Sequence, residues 1–224
     1  MTASLRRMWV IDPSQNHPED QGVAEILQDW PGESRLFRPV LDGNGPGPGD
    51  GYDVDAIVLM GSAASVDDDL PWLGPLRAWL QPILDGDQPR PLLAICFGHQ
   101  LIAEMAGARV GWLEESRDKR VGIECTAVRG SRLVGEDADL RVVVSHRETV
   151  VAPPSGYRVT ATRPGVPYDG LEHETLEIFS YQFHPEAREE FAARSGIAMA
   201  EIDARLRADS RRVLDGFRRR CDLA

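Results

Sequence analysis

The apolar and polar positions of the chain fall into short apolar runs separated by stretches of helical spacing. "RMWVID" (7–12) and "SRLFRPV" (34–40) read as strands. Between them, "EDQGVAEILQDW" (19–30) places Val23, Ile26, Leu27 and Trp30 on one helical face. "AIVLM" (56–60) and "PLLAI" (91–95) are apolar without alternation, as expected of strands covered on both faces. "LPWLGPLRAWLQPILDG" (70–86) is helical in spacing but carries Pro75 and Pro82. "FGHQLIAEMAG" (97–107) predicts a helix closed by Gly107 in a left-handed cap. "LDGNGPGPGDGYD" (41–53) is too rich in Gly and Pro for a regular element and reads as a surface loop without a phosphate-binding pattern.

After Val110 the texture changes. "RVGIECTAV" (120–128), "LRVVVSH" (140–146), "YRVTAT" (157–162) and "TLEIFSYQF" (175–183) are strand-like and divided by turn residues. An amphipathic helix over about 199–220 closes the pattern. Strand–helix alternation, then strands, then a terminal helix predicts an α/β fold. The expected form is a single domain over 1–224, with a mostly parallel central sheet flanked by helices and a C-terminal helical extension over about 187–224.

Composition narrows the function. At 224 residues and 42% hydrophobic content the chain can bury one good core. No apolar run approaches a bilayer span and "MTASLRRMWVID" is too short for a secretory core, so a cytoplasmic location away from membranes is expected. A formal net charge of -11 disfavours nucleic acid as a partner, and the arginines of "RRVLDGFRRR" read as the solvated face of a helix. Cys96, Cys125 and Cys221 show neither a disulfide framework nor a CxxC metal knuckle. No metal or cofactor is called for.

Cys96 stands where the apolar run 91–95 turns into a helix. A nucleophile on such a turn projects above the carboxyl edge of a sheet, and the helix N-terminus favours a thiolate. The crowded turn wants small residues two positions either side, and Ala94 and Gly98 are there. A cysteine nucleophile needs a base and a group to orient it. Among five histidines, only His184, in "SYQFHPE", has an orienter built in: Glu186 lies two positions on, across Pro185. Read singly, Cys96 could equally be a buried structural thiol, and His184 a surface histidine beside a helix start.

Together, "AICFGHQ" and the later "QFHPE" resemble the class I glutamine amidotransferases, especially those like the glutaminase domain of GMP synthase. The likeness extends through "AIVLMGSAASV" and "SHRETVVAPPSGY". It implies a triad of Cys96, His184 and Glu186 that cleaves the glutamine side-chain amide through a γ-glutamyl thioester. It also implies an oxyanion hole from the Phe97 N–H and from Gly61 and Ser62, where Ser62 replaces a usual glycine. Gln100 and the loop Ser145-His146-Arg147 would hold substrate; relatives often have Gly at the position of Arg147 and Asp at that of Glu148. His146 is expected to orient this loop or face the acceptor side, and His99 to be structural. Such domains feed ammonia to a synthetase, and this sequence contains neither a P-loop nor an SGGxDS-like pyrophosphatase loop. Two other functions stay open: hydrolysis of another γ-glutamyl amide or peptide by the same route, and a catalytically silent binding protein.

Overall fold

The computed structural model describes residues 6–222. In chain order the elements are β1 (Arg7–Ile11), α1 (Asp20–Leu27), β2 (Glu33–Phe37), β3 (Ala56–Leu59), α2 (Leu73–Leu84), β4 (Leu92–Ile95), α3 (Phe97–Met105) and β5 (Arg109–Trp112). Then come β6 (Arg120–Val128), β7 (Ala138–His146), β8 (Glu148–Ala152), β9 (Tyr157–Arg163), β10 (Val166–His173), β11 (Ile178–Tyr181), α4 (Glu189–Ser195) and α5 (Ala204–Cys221), with a short 3-10 turn at Met199–Glu201.

Nine strands form one sheet in the order β2-β1-β3-β4-β11-β10-β9-β6-β7, and β5 pairs with β8 in a separate ribbon. The α/β character is as expected, but the sheet is mixed rather than mostly parallel. From β2 to β11 every pairing is parallel. From β11 to β7 every pairing is antiparallel. The halves follow from the connections: α1 between β1 and β2, the irregular segment 38–55 between β2 and β3, and α2 between β3 and β4 return the early strands parallel, whereas shorter connections reverse β6 into β7, β9 into β10 and β10 into β11.

The runs without alternation, β3 and β4, sit at the centre of the sheet, and all eight of their residues are buried. On β1, Met8 and Val10 face α1 and α5, packing with Val23, Ile26, Val213 and Phe217. Trp9 and Ile11 face the other side, against Leu76, Trp79 and Leu80 of α2 and Phe97 and Leu101 of α3. Each fully buried aliphatic or aromatic side chain contributes about 1.5–3 kcal/mol to this three-layer core. The layers fix the carboxyl ends of β1, β3, β4 and β11 side by side, which is where the candidate site lies.

The two prolines of α2 differ in position. Pro75 falls in the first turn, where its missing N–H has no intrahelical partner, whereas Pro82 stands inside the helix near its end and forgoes the one bond its N–H would have made to Ala78 O. The terminal helix starts at Ala204 rather than near 199, because the Asp203 side chain caps it by accepting from Leu206 N. Gly107, at φ +89°, ends α3 as predicted. Among the described residues, no helix is long and apolar enough to cross a membrane.

Candidate active site

Cys96 alone makes the turn between β4 and α3. Its φ of 51° lies in the left-handed region, a strain of about 1–3 kcal/mol that neighbouring bonds hold in place. The Cys96 N–H donates to Tyr181 O (2.8 Å), and Cys96 O accepts from Gln100 N (3.0 Å). Gly98 is needed for close approach: a Cβ there would lie 2.6 Å from Leu59 O. The thiol is buried at the floor of a cleft of about 550 Å³.

His184 reaches this point because the chain leaves β11 and crosses to β7, where His184 N donates to Val143 O (2.9 Å). Its Nδ1 bonds Glu186 Oε1 at 2.8 Å, and both side chains are about 95% buried. Arg188, itself buried, donates to Pro185 O (3.0 Å) and Ala187 O (2.7 Å) and pairs with Glu25, so the turn carrying Glu186 is pinned from behind. Burial opposes a charge on His184, but the Glu186 carboxylate and the neighbouring Cys96 outweigh it and raise the imidazole to about 10. A protonated His184, paired with Glu186 and lying beside Cys96, is the state this environment favours.

The other expected residues line the same cleft, apart from Phe97. Gly61 and Ser62 follow β3 at its rim, and Phe97 is the first residue of α3, where the helix leaves its N–H without an internal acceptor. Gln100 Nε2 donates to Glu148 O (2.7 Å) and Gln182 Oε1 (3.1 Å). Ser145 lies beneath the sulfur, its carbonyl 4.0 Å from Cys96 Sγ, with its own Oγ buried and unpartnered. Arg147 is exposed at the mouth. His146 is held at both ring nitrogens: Nδ1 donates to Glu148 O (2.9 Å), and Nε2 accepts from the buried Arg163 (2.6 Å). Burial first, and then the Arg163 cation, push His146 down to about 3, so the ring is neutral and shapes the loop. His99 bonds Ser180 Oγ (2.8 Å) inside the core, away from the cleft.

Sequence reasoning misses the segment after β1 and one glutamine. The buried Asp12 accepts from Ser14 Oγ (2.5 Å) and Glu19 N (3.0 Å), folding residues 14–19 over the cleft beside His184. Nothing in that stretch marks it in a single sequence. Gln182 donates to Cys96 Sγ (3.6 Å). It stands two residues before His184, on the same side of an extended segment, and that spacing is the one signal that points to it.

The sequence profile of the class I glutamine amidotransferases matches residues 46–198, a span that contains the elbow, the 145–148 loop and the His-Pro-Glu turn. The chain belongs to the class I glutamine amidotransferases. This amidotransferase is 38% identical over 96 residues to a glutamine-hydrolysing GMP synthase subunit of Thermococcus kodakarensis, a match covering 43% of the chain and 50% of the relative. It is 30% identical over 136 residues to the corresponding subunit of Saccharolobus solfataricus, covering 60% of the chain and 68% of the relative. Against the GMP synthase of Gibberella zeae it is 35% identical over 141 residues, 61% of the chain but 24% of that protein. The chain thus spans about a quarter of the length of the Gibberella relative and half that of the Thermococcus one. The fold is shared with a glutamine amidotransferase of Thermotoga maritima (TM-score 0.78, 16% identity, 99% of this chain and 100% of that one). It is shared also with a glutamine amidotransferase from Methylobacillus flagellatus (TM-score 0.78, 18% identity, 96% and 94%).

Proposed function

We propose that this amidotransferase cleaves the side-chain amide of glutamine through a Cys96 thioester and passes the ammonia to a synthetase partner. The observation that carries the reading is the buried His184–Glu186 pair at 2.8 Å beside a cysteine held at positive φ on a strand–helix elbow. The Cys96 thiolate attacks the amide carbon, and the oxyanion is met by the Phe97 N–H and a donor from Gly61 or Ser62. The His184 imidazolium gives its proton to the nitrogen, the C–N bond breaks and ammonia leaves. Neutral His184 then takes a proton from water, whose oxygen attacks the thioester. Collapse of that intermediate expels the thiolate, restores the charged pair and releases glutamate. Glu186 holds the ring and stabilises its charge throughout. The synthetase partner is suggested by the relatives named as subunits of GMP synthase.

A second reading is favoured by the cleft itself. It runs past the elbow to His17, Trp112 and Arg194. A γ-glutamyl amide with a larger leaving amine could follow the same steps. Steady-state release of ammonia from glutamine, compared with amine release from a panel of γ-glutamyl amides, decides between the two. A higher kcat/KM for glutamine supports ammonia supply, and a higher value for a substituted amide supports the second reading. Failure of every compound to acylate Cys96 would remove both.

A further inference from the structure

Gln182 is wholly buried between the elbow and the loop 145–148, and the polarity of its side-chain amide is dictated by its neighbours. Glu148 O can only accept, and it is reached by Gln100 Nε2 at 2.7 Å. The same Gln100 NH2 group lies 3.1 Å from Gln182, so Gln182 must present its Oε1 there. That leaves Gln182 Nε2 toward Cys96 Sγ, at 3.6 Å. Reversing the amide would set donor against donor at Gln100 and an oxygen lone pair against the sulfur. The backbone is held as well: Gln182 N donates to Asp169 O at 2.9 Å.

We propose that Gln182 is a further residue of the reaction, its amide N–H holding the Cys96 thiolate in line for attack and tying the sulfur's position to that of the substrate loop through Gln100. A sulfur at the head of a short side chain can rotate away from His184. An N–H donor to the sulfur restricts that rotation, and it is strongest when the sulfur is charged. The path runs without a gap from loop to nucleophile: His146 Nδ1 and Gln100 Nε2 both donate to Glu148 O, Gln100 Nε2 to Gln182 Oε1, and Gln182 Nε2 to Cys96 Sγ. A substrate that settles the loop therefore also settles the sulfur. The inference rests on Cys96 being the nucleophile.

The test uses the full chain, a chloroketone analogue of glutamine and iodoacetamide, with peptide mapping of Cys96. Gln182→Glu keeps the volume and the acceptor for Gln100 but removes the donor at sulfur; Gln182→Met removes both and is a second, apolar variant. Folding is checked by circular dichroism and thermal melting. The expected result is a fall of about 10–100-fold in the limiting alkylation rate at Cys96, the range for losing one hydrogen bond to a charged group. The half-saturating concentration of the chloroketone should stay within about threefold, and the iodoacetamide rate at Cys96 should fall in parallel. A rise in half-saturation with an unchanged iodoacetamide rate would make Gln182 a mere support for the substrate pocket and overturn the proposal, as would no change in either. If wild-type Cys96 resists the chloroketone, the nucleophile reading itself falls, an outcome distinct from failure of the variants alone.

Discussion

A β-carbon at Gly61 would lie 2.8 Å from His184 Cε1 and 3.4 Å from the Cys96 β-carbon. Gly61 is therefore a glycine for closeness, and the φ values place no strain on it. Gly61→Ala should push the imidazole off the Cys96–Glu186 line and lower kcat about 10²-fold, the cost of misplacing a reacting group by a fraction of an ångström to an ångström. The ring is buried and cannot yield freely, so about 1–3 kcal/mol of stability should go too. Turnover on a folded variant is the measurement, and a wild-type kcat would show that the ring moves without consequence.

Glu186→Gln keeps the size of the side chain and removes its charge. Burial then acts on His184 with less opposition, and the amide can hold the wrong tautomer. Turnover should fall by one to three orders of magnitude, about 1.4–4 kcal/mol of barrier. Gly22 leaves just enough room for the Glu186 side chain, so the near-isosteric swap should preserve the fold. Unchanged turnover across the pH range would take Glu186 out of the triad.

Much of this site is legible in residue order alone, for physical reasons. β3 and β4 are buried on both faces, so their sequences are uniformly apolar, and the elbow between β4 and α3 is marked by Cys96 flanked by small residues. β10 is hidden because it buries polar groups: Asp169 and Glu172 are wholly inside, neutralised by Arg163 and by Arg132 with Ser131. A strand satisfied by ion pairs from a neighbouring strand and loop carries no apolar signature of its own. β5 is short and half-exposed, and its pairing with β8 depends on residues about forty positions away. The mixed character of the sheet is likewise invisible, since it depends on which strand lies next to β11.

The three thiols should separate by reagent. Cys221 is buried and its thiol is pushed up to about 12, chiefly by burial, so it should stay unmodified in the native state. Cys125 is exposed on β6 and should take any small alkylating agent. A glutamine-like electrophile at limiting concentration should label Cys96 first, because only Cys96 of the three lies in the cleft. Peptide mapping reads the order, and labelling of Cys125 ahead of Cys96 would count against the elbow.

Stability should peak near neutrality. His146 falls from an ordinary value of 6.5 to about 3, through burial and then the Arg163 cation, with His184 and Arg120 adding to it. Its neutral form supports the fold fully above pH 6.5, and that support is lost as pH falls toward 3. His184, raised to about 10, acts oppositely: its contribution is full below pH 6.5 and is lost as pH rises through about 10. His146→Gln can still accept from Arg163 and donate to Glu148 O, but it cannot take up a proton. Urea midpoints between pH 4 and 8 should therefore fall less steeply on the acid side in this variant, by up to about 1.4 kcal/mol per pH unit. Parallel curves for the two proteins would mean that another group governs the acid limb.

The last prediction separates the two things Ser62 does. Its Oγ–H donates to Pro13 O (2.8 Å), and its Oγ accepts from Ala64 N (3.2 Å), so the side chain ties the loop after β3 to the segment after β1. Its backbone N–H is the candidate second donor to the oxyanion. Ser62→Gly keeps the N–H and removes only the tie, which should cost about 1 kcal/mol of stability and little turnover. Ser62→Pro removes both the N–H and the tie. If the N–H meets the oxyanion, Ser62→Pro should lose about 10²–10³ in kcat beyond Ser62→Gly, with a similar loss of stability. The comparison matters because Ser62→Pro alone would confuse a displaced loop with a missing donor. Equal kcat in the two folded variants would assign the donor to Gly61 or to a residue after Ser62, and would leave the serine as a strut between the two loops that wall the cleft.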